Sequence, residues 1–228
     1  MTSRTWLESF RCPRGENRNI IKADDKRNAI VRAAFDVLQQ QGLQALSFSV
    51  VAERSGLSRQ LVRYYYPDLD ALMVGVCDYL ADLYRTSLIN GVSGLDRANR
   101  LDFFLDFYFD LLDSPRKPRD DKAYDACFAY AAGSEGVRDN LRTQYGLLGQ
   151  VLSHEIELRY PGMTTAEALA LSYLFVCLMY GHWKMVATLG HDQNHKHITR
   201  DAMSRLLASY EAQPADGRWS MRPWSVGP

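Results

Sequence analysis

Hydrophobic residues recur with a helical period along the chain from Lys26 onward, and no useful stretch alternates in the manner of a β-strand. The apolar positions of the first helical stretch are Ile30, Ala33, Ala34, Val37 and Leu38. They share one helix face because they are three or four residues apart. Gly42 follows and is predicted to end this helix in the left-handed conformation.

Turn-forming residues divide the rest of the chain into further helices. Asp68 can cap a long helix that Gly91–Gly94 would end, and Thr164 with Glu167 forms a capping-box pattern. The remaining helices are predicted over residues 95–113, 122–132, 134–160, 164–189 and 195–213. The sequence therefore predicts an all-α protein of about nine helices, with an N-terminal three-helix domain followed by a helical C-terminal domain.

Residues 47–66, SFSVVAERSGLSRQLVRYYY, predict two short helices joined by a tight turn at residues 55–57. One face of the second helix is apolar and carries Leu57, Leu61, Val62, Tyr65 and Tyr66. The other face offers long hydrogen-bond donors from Arg59, Gln60, Arg63 and Tyr64. This is the layout of a helix-turn-helix, whose second helix lies in the DNA major groove.

Charge and composition narrow the class of protein further. Lys and Arg number 27, as do Asp and Glu, yet residues 4–63 hold eleven basic and six acidic side chains. A positive end suits contact with phosphates, although chance would also explain so modest an imbalance. The scattered cysteines, the absence of a signal-peptide pattern and the short apolar run 169–180 predict a cytoplasmic protein with no membrane span.

A set of residues within 24–84 resembles the tetracycline-repressor (TetR) family. The set is Ala33-Ala34, Gly42, Ser47, Val51-Ala52, Ser55-Gly56-Leu57-Ser58, Tyr65-Tyr66-Pro67 and Leu72. The resemblance implies a homodimeric transcriptional regulator that binds a pseudo-palindromic DNA operator. It also implies a DNA-binding domain over 24–84 and a ligand-binding and dimerisation domain over 85–213. Outside these, the lack of periodicity predicts a flexible arm over 1–23, and Pro, Gly and Trp in a polar context predict a loose tail over 214–228.

Carried over by position, the resemblance also implies which residues touch DNA. They are Ser47, Ser49, Ser58, Arg59, Gln60, Arg63, Tyr64 and Tyr65. Arginine pairs with guanine and glutamine with adenine, while hydroxyl groups suit phosphates. Gln60 and Leu69 depart from the family pattern, which often has a small residue and a lysine at these positions, so the DNA preference is expected to differ there.

Aromatic side chains crowd the C-terminal part, where a cavity for an unknown small-molecule effector is expected between helices. The candidate lining residues are Phe103, Phe107, Tyr108, Tyr124, Phe128, Tyr145, Phe175 and Trp183. For any single one of them, plain core packing is the more common role. The helices over 164–189 and 195–213, the last two long ones, are expected to form the dimer interface, because the first carries many small residues.

Other chemistry is weakly supported. Asp102, Asp106 and Asp110 are expected to form a solvated helix face, and His191, His195 and His197 to lie in a loop without a metal. No cofactor is expected. Two other functions stay open: a helical enzyme with an aromatic cavity, for which no catalytic motif is visible, and a protein-interaction module that does not bind DNA.

Overall fold

The structure, a computed structural model, describes residues 18–213 and 223–225, with side chains from residue 24 onward. Nine α-helices and no strand lie in this part of the chain, which confirms the predicted all-α fold. The helices are α1 Arg18–Gln41, α2 Phe48–Ser55, α3 Arg59–Tyr65, α4 Leu69–Val92, α5 Arg97–Tyr108, α6 Asp121–Ala131, α7 Glu135–Arg159, α8 Thr165–Trp183 and α9 Lys196–Ala212. A π-helical turn, Lys184–Thr188, continues α8.

Two helix ends differ from the prediction. Helix α1 already begins at Arg18, so residues 18–23 of the expected arm are helical, whereas residues 1–17 lie outside the described part. Helix α5 ends at Tyr108 and not at residue 113, because Asp110 adopts a φ of 55°. The carboxylate of Asp110 is held there by Arg119 at 2.8 Å and by Lys196 at 3.8 Å, two partners that lie farther along the chain.

The buried side chains form two clusters that meet along α4. The first combines α1, α2, α3 and the first half of α4 with α6 and the start of α7. The second combines the second half of α4 with α5, α7, α8 and α9. The change from one cluster to the other occurs between Leu80 and Tyr84. The predicted boundary at residue 84 therefore falls inside one continuous helix, which mechanically joins the two parts.

Of the three aspartates of α5 and its end, only Asp102 is exposed, so they do not form the continuous solvated face that was predicted. Arg200 of α9 binds Asp106 at 2.6 Å and Asp102 at 2.8 Å, and Asp110 is buried. These ion pairs fasten α9 to α5. The prediction was wrong because the partner lies more than ninety residues farther along the chain.

Helix α8 with its π-helical turn, Thr165–Thr188, is long and apolar enough to cross a membrane by length and composition. In the fold it is a core helix that packs against α7 on one side and α9 on another. It also buries polar groups, among them Glu167 and His182. Its apolar composition is thus explained by packing on several faces.

Part of the predicted loose tail lies against this core helix. The indole Nε1 of Trp224 donates to Ser172 Oγ at 2.9 Å, and its ring meets Tyr173 edge-on at 5.4 Å. Gly149 of α7 makes room for the indole, since an added Cβ would lie 2.1 Å from it. Trp224 therefore fills the groove between α7 and α8.

Candidate functional site

Hydrogen bonds to side chains fix the start of both short helices. Ser47 Oγ accepts from the amide of Val50 at 3.3 Å, and Ser58 Oγ accepts from that of Leu61 at 3.2 Å. Each hydroxyl satisfies an amide that the helix itself leaves free, and each can still donate its proton to an outside acceptor. Gly56 has a φ of 69°, which sets the tight turn between α2 and α3.

Helix α3 is anchored by its inner face. Val62 is fully buried and packs in the same cluster as Val51 and Ala52 of α2. Tyr66 reaches across to α4, where an added Cβ on Gly75 would lie 2.9 Å from its ring. Burial raises the pKa of Tyr66, and nearby Arg27 partly offsets this effect. The orientation of α3 is thus determined by packing on one side.

The outer face of α3 is open to solvent. Arg59, Gln60, Arg63 and Tyr64 are all exposed, and Tyr64 is 79 % exposed. Ser49, in the first turn of α2, is exposed beside them. The structure therefore gathers the predicted positions on one surface, which can offer guanidinium, amide and hydroxyl groups to a ligand.

Two of the exposed groups are held by aromatic rings. The Arg63 guanidinium lies over the Phe48 ring of α2 at 5.4 Å, and Arg27 of α1 lies over the Tyr65 ring at 5.6 Å. Tyr65 is half-buried, as Ser47 is, and it meets Tyr64 edge-on, so it mainly braces the surface. Arg27 extends the positive surface. Arg27 was not predicted as part of this surface, because it lies on α1, away from the helix-turn-helix in the sequence.

A second candidate site is a cavity of about 170 Å³ between α4, α5, α6, α7 and α8. Four predicted residues line it: Tyr108, Tyr124, Tyr145 and Trp183. The other four lie elsewhere. Phe107 and Phe175 are fully enclosed in the core, Phe103 abuts Gly91, and Phe128 packs on the outer side of Tyr145 and Tyr180.

The cavity has a polar end and an apolar end. The apolar end is lined by Leu88, Ile89, Val92, Phe104, Leu148 and Val151. The polar end is lined by Lys117, Asp121, Tyr124, Gln144, Tyr145, Tyr180 and Lys184. The polar residues other than Tyr124 and Tyr145 were missed, because they come from a loop and from different helices that give no common spacing. Arg85 and the 43 % exposed Leu147 connect the cavity with the surface.

Buried ionisable groups surround the polar end. Asp120 is fully buried, accepts from the Tyr84 hydroxyl at 3.0 Å and lies 3.6 Å from Lys117 Nζ. Burial raises its pKa to about 6, although Lys117 acts in the opposite direction. Burial also raises the pKa of the Tyr108, Tyr124 and Tyr145 hydroxyls, which therefore keep their protons and can donate hydrogen bonds.

Metal-binding geometry is absent from residues 18–213 and 223–225, where no three His, Cys, Asp or Glu side chains are grouped as ligands. His191, His195 and His197 are all exposed. The prediction that all three lie in a loop was wrong for His197, because α9 already begins at Lys196.

Comparison with known proteins agrees with this geometry. Residues 30–76 match the family described as "Bacterial regulatory proteins, tetR family". The HTH-type transcriptional regulator RutR of Escherichia coli (strain K12) is 32 % identical over 63 residues, which are 28 % of this chain and 30 % of RutR. The chain thus aligns with less than a third of that relative.

Solved structures extend the likeness in fold to most of the chain. A TetR transcription regulator from Haloarcula marismortui has a TM-score of 0.70 at 22 % identity, covering 82 % of this chain and 98 % of that one. A transcriptional regulator from Saccharomonospora viridis, solved in complex with choline, has a TM-score of 0.65 at 15 % identity, covering 84 % and 97 %. The residues that match the tetR family lie within α1–α4, and the two solved structures, both under 25 % identical, show that the chain shares their fold.

Proposed function

We propose that this protein is a sequence-specific DNA-binding transcriptional regulator, a homodimeric repressor that a small molecule releases from its operator. We place the DNA-binding part in residues 24–84, the ligand-binding and dimerisation part in 85–213, and the protein in the cytoplasm. The observation that supports the proposal most strongly is the arrangement of the two faces of α3. Its inner face is fixed by Val62, and its outer face exposes three donors of the kind that read base edges and a tyrosine hydroxyl suited to phosphates.

The side chains divide into base-reading and phosphate-binding groups. Arg59, Gln60 and Arg63 have the length and the donor geometry to reach base edges in the major groove. Ser47, Ser49, Ser58 and Tyr64 supply hydroxyls for phosphates, and Tyr65 supports the surface from beneath. Arg63 retains contact with Phe48, which limits the side-chain freedom lost on binding.

The dimer would form through α8 and α9. Tyr173 and Cys177, one turn apart on α8, are exposed, as is Gly181 one turn later. A Cβ added to Gly181 would meet nothing within 4 Å in the single chain, so this stripe leaves room for a helix of a second copy. Gly181→Leu should therefore weaken dimerisation in sedimentation equilibrium without unfolding the chain. Gly146→Leu, on α7 with equally open space, is the matched control.

Helix α4 offers a route from the cavity to α3. Near its start, Asp70 accepts from Tyr130 at 2.6 Å and from Ser134 at 2.7 Å, which ties α4 to the α6–α7 connection. Its second half lines the cavity through residues 81–92. A ligand that binds one arrangement of α4 better than another would shift the spacing of the two recognition helices.

The test is operator binding by an Arg59→Ala, Arg63→Ala double variant. With about 1–3 kcal/mol from each bidentate base contact, its affinity for the selected operator should fall at least about thirtyfold. An Arg116→Ala, Arg142→Ala variant, altered at exposed arginines of the α5–α6 loop and of α7, is the control and should bind as the wild type does. Unchanged operator affinity in the first variant would refute the assigned face. Equal affinity for operator and scrambled duplex would favour a protein-interaction module.

A further inference from the structure

The charged side chains on the cavity wall are already held by opposite charges. The pairs are Arg85 with Asp82, Lys117 with Asp120 and Asp121, and Lys184 with Asp125. An ionised ligand would have to compete with these partners while losing its own hydration. The wall therefore favours neither a free anion nor a free cation.

The aromatic rings at the polar end are also occupied by cations. The Lys117 ammonium lies 4.4 Å from the centre of the Trp183 ring, and the Lys184 ammonium lies 4.8 Å from that of Tyr180. An aromatic cage attracts a quaternary ammonium through free ring faces. Here the protein's own lysines use the two ring faces, and they would repel a second cation.

In contrast to these charged groups, the neutral side chain of Gln144 has a polar atom without a partner in the described part of the chain. It lines the cavity, and its Oε1 is buried without a hydrogen-bond donor among the residues that the structure describes. Its Nε2 donates to Asn140 Oδ1, and Asn140 Nδ2 donates to Asp78 at 2.8 Å. These hydrogen bonds fix the orientation of the Gln144 amide and leave its Oε1 as the atom without a donor in this part of the chain. A buried acceptor without a donor is unfavourable, and a ligand that supplies the donor removes this cost.

The opposite end of the cavity accepts only an apolar group. It is formed by aliphatic and aromatic side chains of α4, α5 and α7, which include Leu88, Val92 and Phe104. The volume of about 170 Å³ is similar to the roughly 150 Å³ of an apolar cavity known to bind benzene, so a single aromatic ring fits.

We propose that the cavity binds an uncharged, amphipathic molecule with an apolar body and a hydroxyl or N–H group that donates to Gln144 Oε1. The inference rests on the proposed function, because it assigns the ligand class of the effector cavity. Gln144 is then the specificity-determining residue, and its hydrogen bonds to Asn140 and onward to Asp78 connect the ligand's polar group with α4.

The first test compares four ligands that share one apolar body, by isothermal titration calorimetry in the absence of DNA. They are 4-phenylbutan-1-ol, its methyl ether, 4-phenylbutyrate and 4-phenylbutyltrimethylammonium. The alcohol should bind about three- to tenfold more tightly than the ether, as expected for one neutral hydrogen bond. Both ions should bind more weakly than the alcohol. Tighter binding of either ion, equal binding of alcohol and ether, or no binding of any of the four would overturn the proposal.

The second test uses Gln144→Leu, with Gln150→Leu on the exposed side of α7 as the matched control. Gln144→Leu should reduce the affinity of the alcohol to that of the ether and leave the ether unaffected, whereas Gln150→Leu should change neither. An equal loss for both ligands would show a packing role and contradict the proposal. If Gln144→Leu does not fold, the ligand series on the wild type decides.

These outcomes are separate from those of the proposed function. A protein that fails to bind any operator but prefers the alcohol would lose its role as a regulator and keep the ligand class. A protein that binds its operator but prefers an ion would keep its role and lose the ligand class.

Discussion

Replacing Asp120 with asparagine should change how the stability of the protein depends on pH. The carboxylate is fully buried beside the cavity, and its Oδ2 has no hydrogen-bond partner among the described residues. Burial raises its pKa from 3.8 to about 6, with Lys117 opposing the shift. Between these two values the folded state keeps a proton that the unfolded state has released, so the free energy of unfolding falls as the pH rises through this range.

The size of the effect follows from the two pKa values. Their difference corresponds to about 3 kcal/mol. The wild type loses this much free energy of unfolding between about pH 4 and pH 6, and above pH 6 the loss stays constant. An asparagine side chain at this position would have a similar shape and would not titrate. As the pH rises from 4 to 7, the free energy of unfolding of Asp120→Asn minus that of the wild type should therefore increase by about 3 kcal/mol.

Urea unfolding followed by circular dichroism, at several pH values and one protein concentration, measures this difference. A fixed concentration is needed because the proposed dimerisation would contribute to stability. Asp113→Asn, which removes an exposed carboxylate from the preceding loop, is the control and should follow the wild type. Parallel pH curves for Asp120→Asn and the wild type would refute the argument that burial of Asp120 is unfavourable to its charged form.

Four further substitutions test other parts of the structure by the same unfolding measurement. Gly91→Ala should cost about 1–3 kcal/mol, because the added Cβ would lie 2.1 Å from the Phe103 ring, whereas Gly146→Ala should stabilise α7 by about 1 kcal/mol. Ser58→Ala should cost about 0.5–2 kcal/mol through the lost N-cap of α3. Burial lowers the pKa of His182 from 6.5, so unfolding takes up a proton there below about pH 6.5, and the stability of the wild type relative to His182→Gln should fall as the pH falls through this range.

The features that the sequence predicted well depend on neighbours within a few residues. Ser47 and Ser58 cap helices that begin at the next residue, and Gly56 provides the turn between them. Val62 is buried because it lies on the apolar face of its own helix. Local spacing and capping therefore predict the helix-turn-helix and the exposure of its outer face.

The features that the sequence missed depend on distant partners. The end of α5 is set by Arg119 and Lys196, which form ion pairs with Asp110. No sequence pattern around residue 110 predicts these partners. In the cavity, Phe104 faces inward while Phe107 is enclosed in the core, although both lie on the same aromatic stretch. Which of them lines the cavity is decided by the packing of α5 on its neighbours, so composition alone predicts a cavity but not its walls.

Selection of bound sequences from a pool of random DNA duplexes tests the central claim most directly. We expect enrichment of a two-fold symmetric sequence with two half-sites. Fluorescence anisotropy should then show binding at least about a thousandfold tighter than to a scrambled duplex at the same salt concentration. The Arg59→Ala, Arg63→Ala variant should lose most of this preference. No enriched sequence, or equal affinity for selected and scrambled duplexes, would contradict sequence-specific binding through the outer face of α3.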